Sequence, residues 1–319
     1  MLQFDRSQIE RLITVDTDAA NAVRDAYVAI SDGRANVPSV GYLGFPEAKG
    51  DCHIKYGHIA GDAVFAVKIA SGFYDNPSRG LPSSTGLVLV FSALTGQTEA
   101  VLNDEGYLTD LRTGLGGAVA TMALCRPDAR RFLIVGSGTQ SFWLARSIRL
   151  LQPAAVIAIW GRNPDRAAEV VARLAAVGVV AQVETDLQAG CRAADAILTA
   201  TPSPEPLVQS DWVQPGCHIT ALGADSPGKQ ELETALIARA DVRVADMLSQ
   251  CLDHGEFATA HAAGLIGEAD CVQLGAVLSG TSPGRRRPED ITIADLTGVA
   301  TQDIAMARTV LARAKGQAA

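Results

Sequence analysis

Positive charge is scarce in this chain, because 27 lysine and arginine residues stand against 35 aspartate and glutamate residues and leave a formal net charge of −8. Broad surfaces for nucleic acid or for anionic membranes carry the opposite sign, so neither partner is expected. An anionic ligand would have to be held by a few local cations and not by the overall field of the protein.

Long apolar runs and clusters of metal ligands are missing too. No stretch approaches the roughly 20 residues of a membrane-spanning helix, and the first residues, MLQFDRSQIE, lack the hydrophobic core of a signal peptide. The six cysteines include no C-x-x-C pair, and the five histidines form no cluster with metal-ligand spacing. We therefore expect reduced thiols, no metal, and a cytoplasmic protein without a membrane partner.

Apolar residues, by contrast, make up 48% of the 319-residue chain, and this length suggests about two domains of ~150 residues each. From about residue 130 to residue 250, apolar runs such as RRFLIVG, AVIAIWG and AILTATP alternate with helical segments. Strands that are buried on both faces and alternate with helices indicate an α/β fold with a parallel, doubly wound sheet.

The two ends of the chain follow different patterns. The first 110 residues contain a helix from about Asp16 to Ser31 and short alternating runs, such as AVFAVKIASG and GLVLVFSALTG, which predict a mostly antiparallel sheet. The C-terminal stretch DIAMARTVLARAKGQAA has the periodicity of an amphipathic helix. We expect this helix to pack on one of the two domains or on a partner subunit.

A dinucleotide site is indicated by GSGTQS, residues 136–141, which follows an apolar strand and opens a helical segment. Gly136 supplies the tight turn, and Gly138 lets the backbone approach a pyrophosphate at the start of the helix. Ser141 stands where the usual fingerprint has its third glycine. A small residue there can still pack the helix on the strand, so the fingerprint is weakened but not broken.

The identity of the dinucleotide stays open. The second strand of this region is followed by Trp160, Gly161, Arg162 and Asn163, with no carboxylate for a ribose hydroxyl before Asp165. Arg162 is suited to hold a 2′-phosphate or to stack on adenine, and the alternative is an arginine on a surface loop. NAD(H) and NADP(H) are both compatible with this pattern.

Three charged residues outside the glycine-rich turn are candidates for chemistry. Lys68 lies inside an apolar strand, where a buried lysine needs an anion as partner. Arg112, just before the small-residue helix GLGGAVATMAL, suits bidentate binding of a carboxylate. Asp225 follows a buried strand, at the edge of the sheet where ligands bind. The alternatives are a lysine at a strand edge, an ion pair that caps a helix, and a turn residue.

Several segments together resemble the ornithine cyclodeaminase/mu-crystallin family: KIASGFYDNPSRGLPSSTG, GYLTDLRTG, GSGTQS, ATPS, LGADSPGKQEL, DHGEF and DLTGVATQDIA. They occur in order between about residues 30 and 310. The resemblance implies a homodimer, with an α+β domain of residues 1–115 and 300–319 for substrate binding and dimerisation. Residues 116–299 would form a Rossmann domain that binds NAD(P). Members of the family act at the Cα–N bond of an amino acid through an imine and hydride transfer.

The resemblance also implies roles for individual residues. Lys68 and Arg112 would bind the α-carboxylate of the substrate with support from Ser83, and Asp225 would lie beside the reacting nitrogen. Lys68 and Asp225 are the catalytic candidates. The cofactor-binding candidates are Arg112, Thr113, Gly136, Ser137, Gly138, Thr139, Gln140, Arg162, Asn163, Thr201, Gly223, Asp225 and Asp295.

Two departures from the family's pattern bear on the substrate. The segment PSVGYLGF lacks an arginine that is common after the first helix, and Lys55 in CHIKYG stands where cyclodeaminases carry a glutamate for the distal amine of ornithine. A cation at this position favours a second carboxylate over a second amine. A solvent-facing Lys55 is the alternative.

The function expected from these features is NAD(P)H-dependent reduction of a small dicarboxylic 2-imino acid, with iminosuccinate converted to L-aspartate. Three alternatives stay open. They are an ornithine-type cyclodeaminase that recycles its NAD, an alanine dehydrogenase or ketimine reductase, and a non-catalytic ligand-binding protein of the mu-crystallin kind.

Overall fold

The chain folds into two compact units in this computed structural model, which describes residues 1–317. Unit 1 comprises Met1–Arg112 together with the C-terminal segment from Val299, and unit 2 comprises Thr113–Gly298. Within residues 1–317, no helix combines the length and the apolar character needed to cross a membrane. The six cysteines are free thiols.

A mostly antiparallel sheet forms unit 1, as the alternating runs of the first 110 residues predicted. Its strands within the described part of the chain are β1 (Leu2–Asp5), β2 (Ala35–Asn36), β3 (Gly41–Phe45), β4 (Gly50–Ile59), β5 (Val64–Phe73), β6 (Ser84–Ser92) and β7 (Thr98–Asn103). Their order is β1-β7-β6-β5-β4-β2, and β3 pairs with β4 beside this path. β1 runs parallel to β7, and the other pairs are antiparallel. β5 therefore lies inside the sheet, between β4 and β6.

A parallel, doubly wound sheet forms unit 2, which confirms the predicted Rossmann-type α/β fold. Its strands among the described residues are β8 (Arg131–Val135), β9 (Val156–Trp160), β10 (Ala181–Glu184), β11 (Ala196–Thr199), β12 (His218–Ala221), β13 (Val242–Ala245), β14 (Cys271–Gln273) and β15 (Thr292–Asp295). The order is β10-β9-β8-β11-β12-β15-β13-β14, with every pair parallel. The strand order reverses between β8 and β11, and doubly wound sheets bind ligands at this switch point.

Helices accompany both sheets. In chain order, within residues 1–317, they are α1 (Arg6–Leu12), α2 (Thr17–Ser31), α3 (Tyr107–Leu124), α4 (Thr139–Leu151), α5 (Pro164–Ala176), α6 (Leu187–Ala193), α7 (Thr234–Arg239), α8 (Leu248–His254), α9 (Ala258–Ala262), α10 (Leu274–Ser279) and α11 (Ala300–Gln317). The predicted first long helix is α2, and Asp16 caps it by accepting a hydrogen bond from the N–H of Ala19 at 2.9 Å.

Helix α3 begins earlier than the sequence indicated. Arg112 was expected just before this helix, and that prediction was wrong because Arg112 lies in its second turn. The cause is Asp104, whose Oδ2 accepts a hydrogen bond from the N–H of Leu108 at 2.7 Å and so caps the helix well ahead of the small residues. The side chain of Arg112 therefore projects from a helix and not from a loop.

The C-terminal helix α11 belongs to unit 1, where it packs against α2, β4 and β5. It begins at Ala300, three residues before the predicted amphipathic stretch, whose last two residues lie outside the described part of the chain. Arg313 anchors its end, because the guanidinium contacts both carboxylate oxygens of Asp16 at 2.8 and 3.0 Å. This packing brings the beginning of α11 onto the middle strands of the sheet.

Candidate functional site

The glycine-rich segment forms the turn between β8 and α4. Gly136 has a φ of +138°, and its N–H donates to the carbonyl of Trp160 at 2.8 Å. A Cβ at this position would lie 2.7 Å from the carbonyl oxygen of Ala200, so only glycine fits. Gly138 caps α4 without a side chain, and the first N–H groups of a helix have no acceptor within the helix. The turn therefore has the form of a phosphate-binding site.

Ser141 occupies the position of the third glycine in the usual fingerprint. Its side chain is fully buried, and its Oγ donates to the carbonyl of Gly136 at 2.7 Å. A small side chain thus fits between helix and strand, and it adds a hydrogen bond that no glycine could make.

Other predicted cofactor residues lie in several segments of unit 2. Thr113 is half-buried in α3, Ser137 lies in the turn, Thr139 and Gln140 begin α4, and Arg162 and Asn163 follow β9. The last two are exposed. Asn163 also caps α5, because its Oδ1 accepts a hydrogen bond from the N–H of Asp165 at 2.9 Å.

Glu231 is a residue of the candidate site that sequence reasoning missed. It is fully buried, and each carboxylate oxygen accepts two hydrogen bonds. Oε1 receives the N–H of Thr201 at 2.6 Å and its hydroxyl at 2.8 Å, whereas Oε2 receives the hydroxyl of Thr199 at 2.6 Å and the N–H of Gly223 at 2.8 Å. Glu231 therefore ties the carboxyl ends of β11 and β12 together. A Cβ on Gly223 would lie 2.1 Å from the carbonyl oxygen of Thr201, so this position also requires glycine.

A second buried glutamate holds the segment that carries Glu231. The carboxylate of Glu256 accepts the N–H of Glu231 at 3.0 Å and the N–H of Leu232 at 2.6 Å. Burial raises the pKa of both glutamates, and the donors around Glu231 oppose that effect. The segments LGADSPGKQEL and DHGEF contain these residues, but nothing in the sequence indicates that they are buried together.

Asp225 and Asp295 lie at the ends of two neighbouring strands. Asp225 follows β12. Nζ of Lys229, four residues further along the chain, lies 2.6 Å from Oδ1 of Asp225 and holds this carboxylate in an ion pair. Asp295 ends β15 and is buried, with Oδ2 accepting the N–H of Phe257 at 3.0 Å. Burial, reinforced by the nearby charge of Asp246, raises the pKa of Asp295 to about 8. Asp295 is therefore mostly protonated at neutral pH.

A buried ion-paired cluster lies in unit 1. Lys68 in β5 and Arg112 in α3 both contact Oδ1 of Asp303 in α11, at 3.1 Å from Nζ and 3.3 Å from Nε. The three side chains are 3–8% exposed, which makes Asp303 the anion that a buried Lys68 required. The alternatives of a strand-edge lysine and a helix-capping arginine therefore do not hold. Asp303 lies in the motif DLTGVATQDIA, but its role was not foreseen.

Lys55 joins this cluster from the next strand. It pairs directly opposite Lys68 in the β4–β5 register and is 8% exposed, so the solvent-facing alternative does not hold. Side chains opposite each other on antiparallel strands share one face of the sheet. Ser83 is half-buried just before β6, and its carbonyl accepts the N–H of Phe73 at 2.7 Å.

The proton affinity of Lys68 is low for a lysine. Burial and the neighbouring charge of Arg112 lower its pKa to about 7, with Lys55 acting in the same direction and Asp303 opposing them. Lys68 can therefore gain or lose a proton near neutral pH, as a proton relay must.

The chain is similar to known proteins along nearly its whole length. A family model described as the ornithine cyclodeaminase/mu-crystallin family matches residues 2–318. The alanine dehydrogenase of Archaeoglobus fulgidus is 35% identical over 310 residues, which cover 97% of this chain and 94% of that protein. Two solved structures are similar over 100% of this chain and 97% of theirs. They are an archaeal alanine dehydrogenase dimer with bound NAD (TM-score 0.92, 33% identity) and the iminosuccinate reductase of Paracoccus denitrificans in complex with NAD+ (TM-score 0.89, 31% identity).

Replacement of Glu231 tests its role at the ends of β11 and β12. Glu231→Gln is expected to raise the Kd for NADH at least about tenfold, because the new amide NH2 opposes the N–H donors of Thr201 and Gly223. Titration of NADH fluorescence measures the Kd, and Glu205→Gln, an exposed position in the same unit, serves as the control. Equal affinity of the two variants would show that Glu231 does not support the cofactor site.

Proposed function

Because the chain belongs to the ornithine cyclodeaminase/mu-crystallin family, we propose that it is an NADH-dependent enzyme that reduces the C=N bond of a small 2-imino acid. The reaction that we assign to it converts iminosuccinate to L-aspartate. The observation that carries this proposal is the buried cluster of unit 1, in which Lys55 and Lys68 lie opposite each other and Arg112 shares Asp303 with Lys68.

Charge supports a dicarboxylic substrate. Lys68 and Arg112 suit the α-carboxylate, since an ammonium and a guanidinium side by side offer several donors to one anion. Lys55, opposite Lys68, is a buried cation that suits the distal carboxylate. A diamine such as ornithine would bring a further cation towards the cluster and be repelled. An imino acid with a methyl side chain would bring no charge for Lys55.

Proton transfer is the chemical task of the side chains. The imine carbon is more electrophilic when its nitrogen is protonated, so the reaction needs a proton source and an anion beside the nitrogen. Lys68, with its pKa lowered to about 7, is suited to hold and release a proton. Asp225 would stabilise positive charge on the nitrogen, and Lys229 keeps its carboxylate oriented at 2.6 Å.

NADH, when bound, supplies the hydride. The residues that fit it are the turn from Gly136 to Gln140 and, at the ends of β11 and β12, Thr201 and Gly223. The archaeal alanine dehydrogenase has NAD bound and the iminosuccinate reductase is in complex with NAD+, which supports NAD(H) as the cofactor. Arg162, exposed after β9, leaves NADP(H) as the second candidate cofactor.

A second candidate reaction is the reduction of the imine of pyruvate to alanine, because the alanine dehydrogenase of Archaeoglobus fulgidus is 35% identical to this chain. The buried cation Lys55 disfavours an ornithine-type cyclodeaminase, because it would repel the second amine of ornithine. A non-catalytic binding protein of the mu-crystallin kind would not need Lys68, Arg112 and Asp225 together.

We expect the purified protein to oxidise NADH faster with oxaloacetate plus ammonium than with pyruvate plus ammonium, because the first pair forms the dicarboxylic imine. The loss of NADH absorbance measures both rates, and parallel assays with NADPH measure cofactor preference. No turnover with either pair, combined with ammonia release from ornithine without added reductant, would identify a cyclodeaminase instead.

Lys55→Glu is expected to lower kcat/KM for the dicarboxylic imine at least about a hundredfold, because reversal of a buried charge costs about 3 kcal/mol or more. Turnover with pyruvate plus ammonium should fall much less. Lys49→Glu, at a lysine of the same unit whose side chain is 67% exposed, is the control. If the Lys55 variant retains full activity on the dicarboxylic imine, Lys55 does not bind the distal carboxylate.

A homodimer is part of the proposal. Leu43 and Phe45 on β3 are 54% and 42% exposed, and they share one face of this short strand, whereas Tyr42, 56% exposed, projects from the opposite face. The similar archaeal alanine dehydrogenase is a dimer. Sedimentation equilibrium is expected to give twice the mass of the chain, and Leu43→Glu combined with Phe45→Glu is expected to shift it towards the monomer. A monomeric unmodified protein would exclude this interface.

A further inference from the structure

Asp303 is a carboxylate that contacts two candidate substrate-binding cations, and it is buried, although a carboxylate loses its hydration there. Both contacts go to one oxygen, because Lys68 Nζ and Arg112 Nε lie 3.1 and 3.3 Å from Oδ1. Oδ2 is buried without a hydrogen-bond partner among the described residues. A buried carboxylate costs several kcal/mol unless its surroundings repay that cost, so its position calls for a reason.

Other groups keep Arg112 in place beside Asp303. Nη1 of Arg112 donates to Oε1 of Gln302 at 3.3 Å, and Nε2 of Gln302 donates to the hydroxyl of Tyr27 in α2 at 3.0 Å. Nε of Arg112 makes no hydrogen bond within residues 1–317, so its contact with Asp303 is an ion pair without hydrogen-bond geometry. Asp303 therefore acts on Arg112 through charge, whereas Gln302 orients the guanidinium.

The charges that face Lys68 come from four parts of unit 1. Lys55 lies opposite it on β4, Arg112 approaches from α3, Asp303 approaches from α11, and Asp104 acts from the segment before α3. Asp104 is occupied as a cap of α3, through its bond with the N–H of Leu108. Asp303 is thus the carboxylate that contacts the Lys68 ammonium. Its negative charge offsets the repulsion of that ammonium by Lys55 and Arg112.

We propose that Asp303 is the positioning residue of this cluster, which holds the Lys68 ammonium beside Arg112 and favours its protonated form for the incoming substrate carboxylate. The inference rests on the proposed function for the identity of that substrate. Asp303 acts through Lys68 and does not itself take part in bond formation. Without its charge, Lys68 would lose its proton at a lower pH, and the site would present one cation fewer near neutral pH.

Titration of Lys68 tests this role without any need for turnover. Protein labelled with carbon-13 at the lysine ε-carbon is followed by NMR across pH, and the Lys68 signal is assigned from its loss in Lys68→Arg. Asp303→Asn is expected to lower the titration midpoint of Lys68 by at least about one pH unit, because the amide keeps the shape but removes the negative charge. Asp303→Glu is expected to restore most of the shift. An unchanged midpoint in Asp303→Asn would overturn the proposal.

Asp62→Asn is a matched control. Asp62 forms an ion pair with Arg308 of α11 at 2.5 Å, so this variant also removes a carboxylate contact with α11, but outside the cluster. It should leave the Lys68 titration unchanged. A shift of equal size in both variants would mean that Asp303 acts only by holding α11 in place.

Turnover provides a second readout. In Asp303→Asn, the fall of kcat/KM at alkaline pH is expected to begin at least about one pH unit lower than in the unmodified protein, with NADH affinity unchanged. A uniform loss at every pH would indicate a structural role. If the unmodified protein reduces neither imine, the proposed function fails, and the NMR titration still decides the role of Asp303.

Discussion

The ion pairs of Asp303 with Lys68 and Arg112 are the constraint on which unit 1 depends. Taking a charge out of water costs several kcal/mol, so a lysine in the middle of an apolar strand is stable only where a counter-ion meets it. That counter-ion lies 235 residues further along the chain. The C-terminal helix α11 must therefore pack on β4 and β5, and its first turn must face the middle of the sheet.

Unit 2 uses a buried carboxylate for a different purpose. Glu231 holds backbone and hydroxyl groups, and all four of its acceptor positions are filled by Thr199, Thr201 and Gly223. Because its partners are donors on two adjacent strands, it fixes the distance between the strand ends where ligands bind in this fold. In unit 1 the buried carboxylate organises cations, and in unit 2 it organises the backbone.

Overall similarity does not separate the substrates of the relatives. An alanine dehydrogenase and an iminosuccinate reductase resemble this chain at 33% and 31% identity, with TM-scores of 0.92 and 0.89. NAD is bound in the first of these structures and NAD+ in the second, so a common fold accompanies a common cofactor. In the proposed function, a single charge would discriminate between a methyl group and a carboxylate on the substrate. Lys55, which lies in the interior of the protein, is the residue that we propose for this role.

The sequence by itself determined the doubly wound sheet, the turn at Gly136 and the need of Lys68 for an anion, because these follow from local patterns. Apolar runs, glycine spacing and a charge inside a strand are visible within a few residues. The tertiary structure alone decided that Asp303 is this anion, that Glu231 joins β11 to β12, and that Lys55 is buried. It also decided that α3 begins at Tyr107, since the Asp104 cap precedes the small residues. These features depend on contacts between distant segments, and only packing creates those contacts.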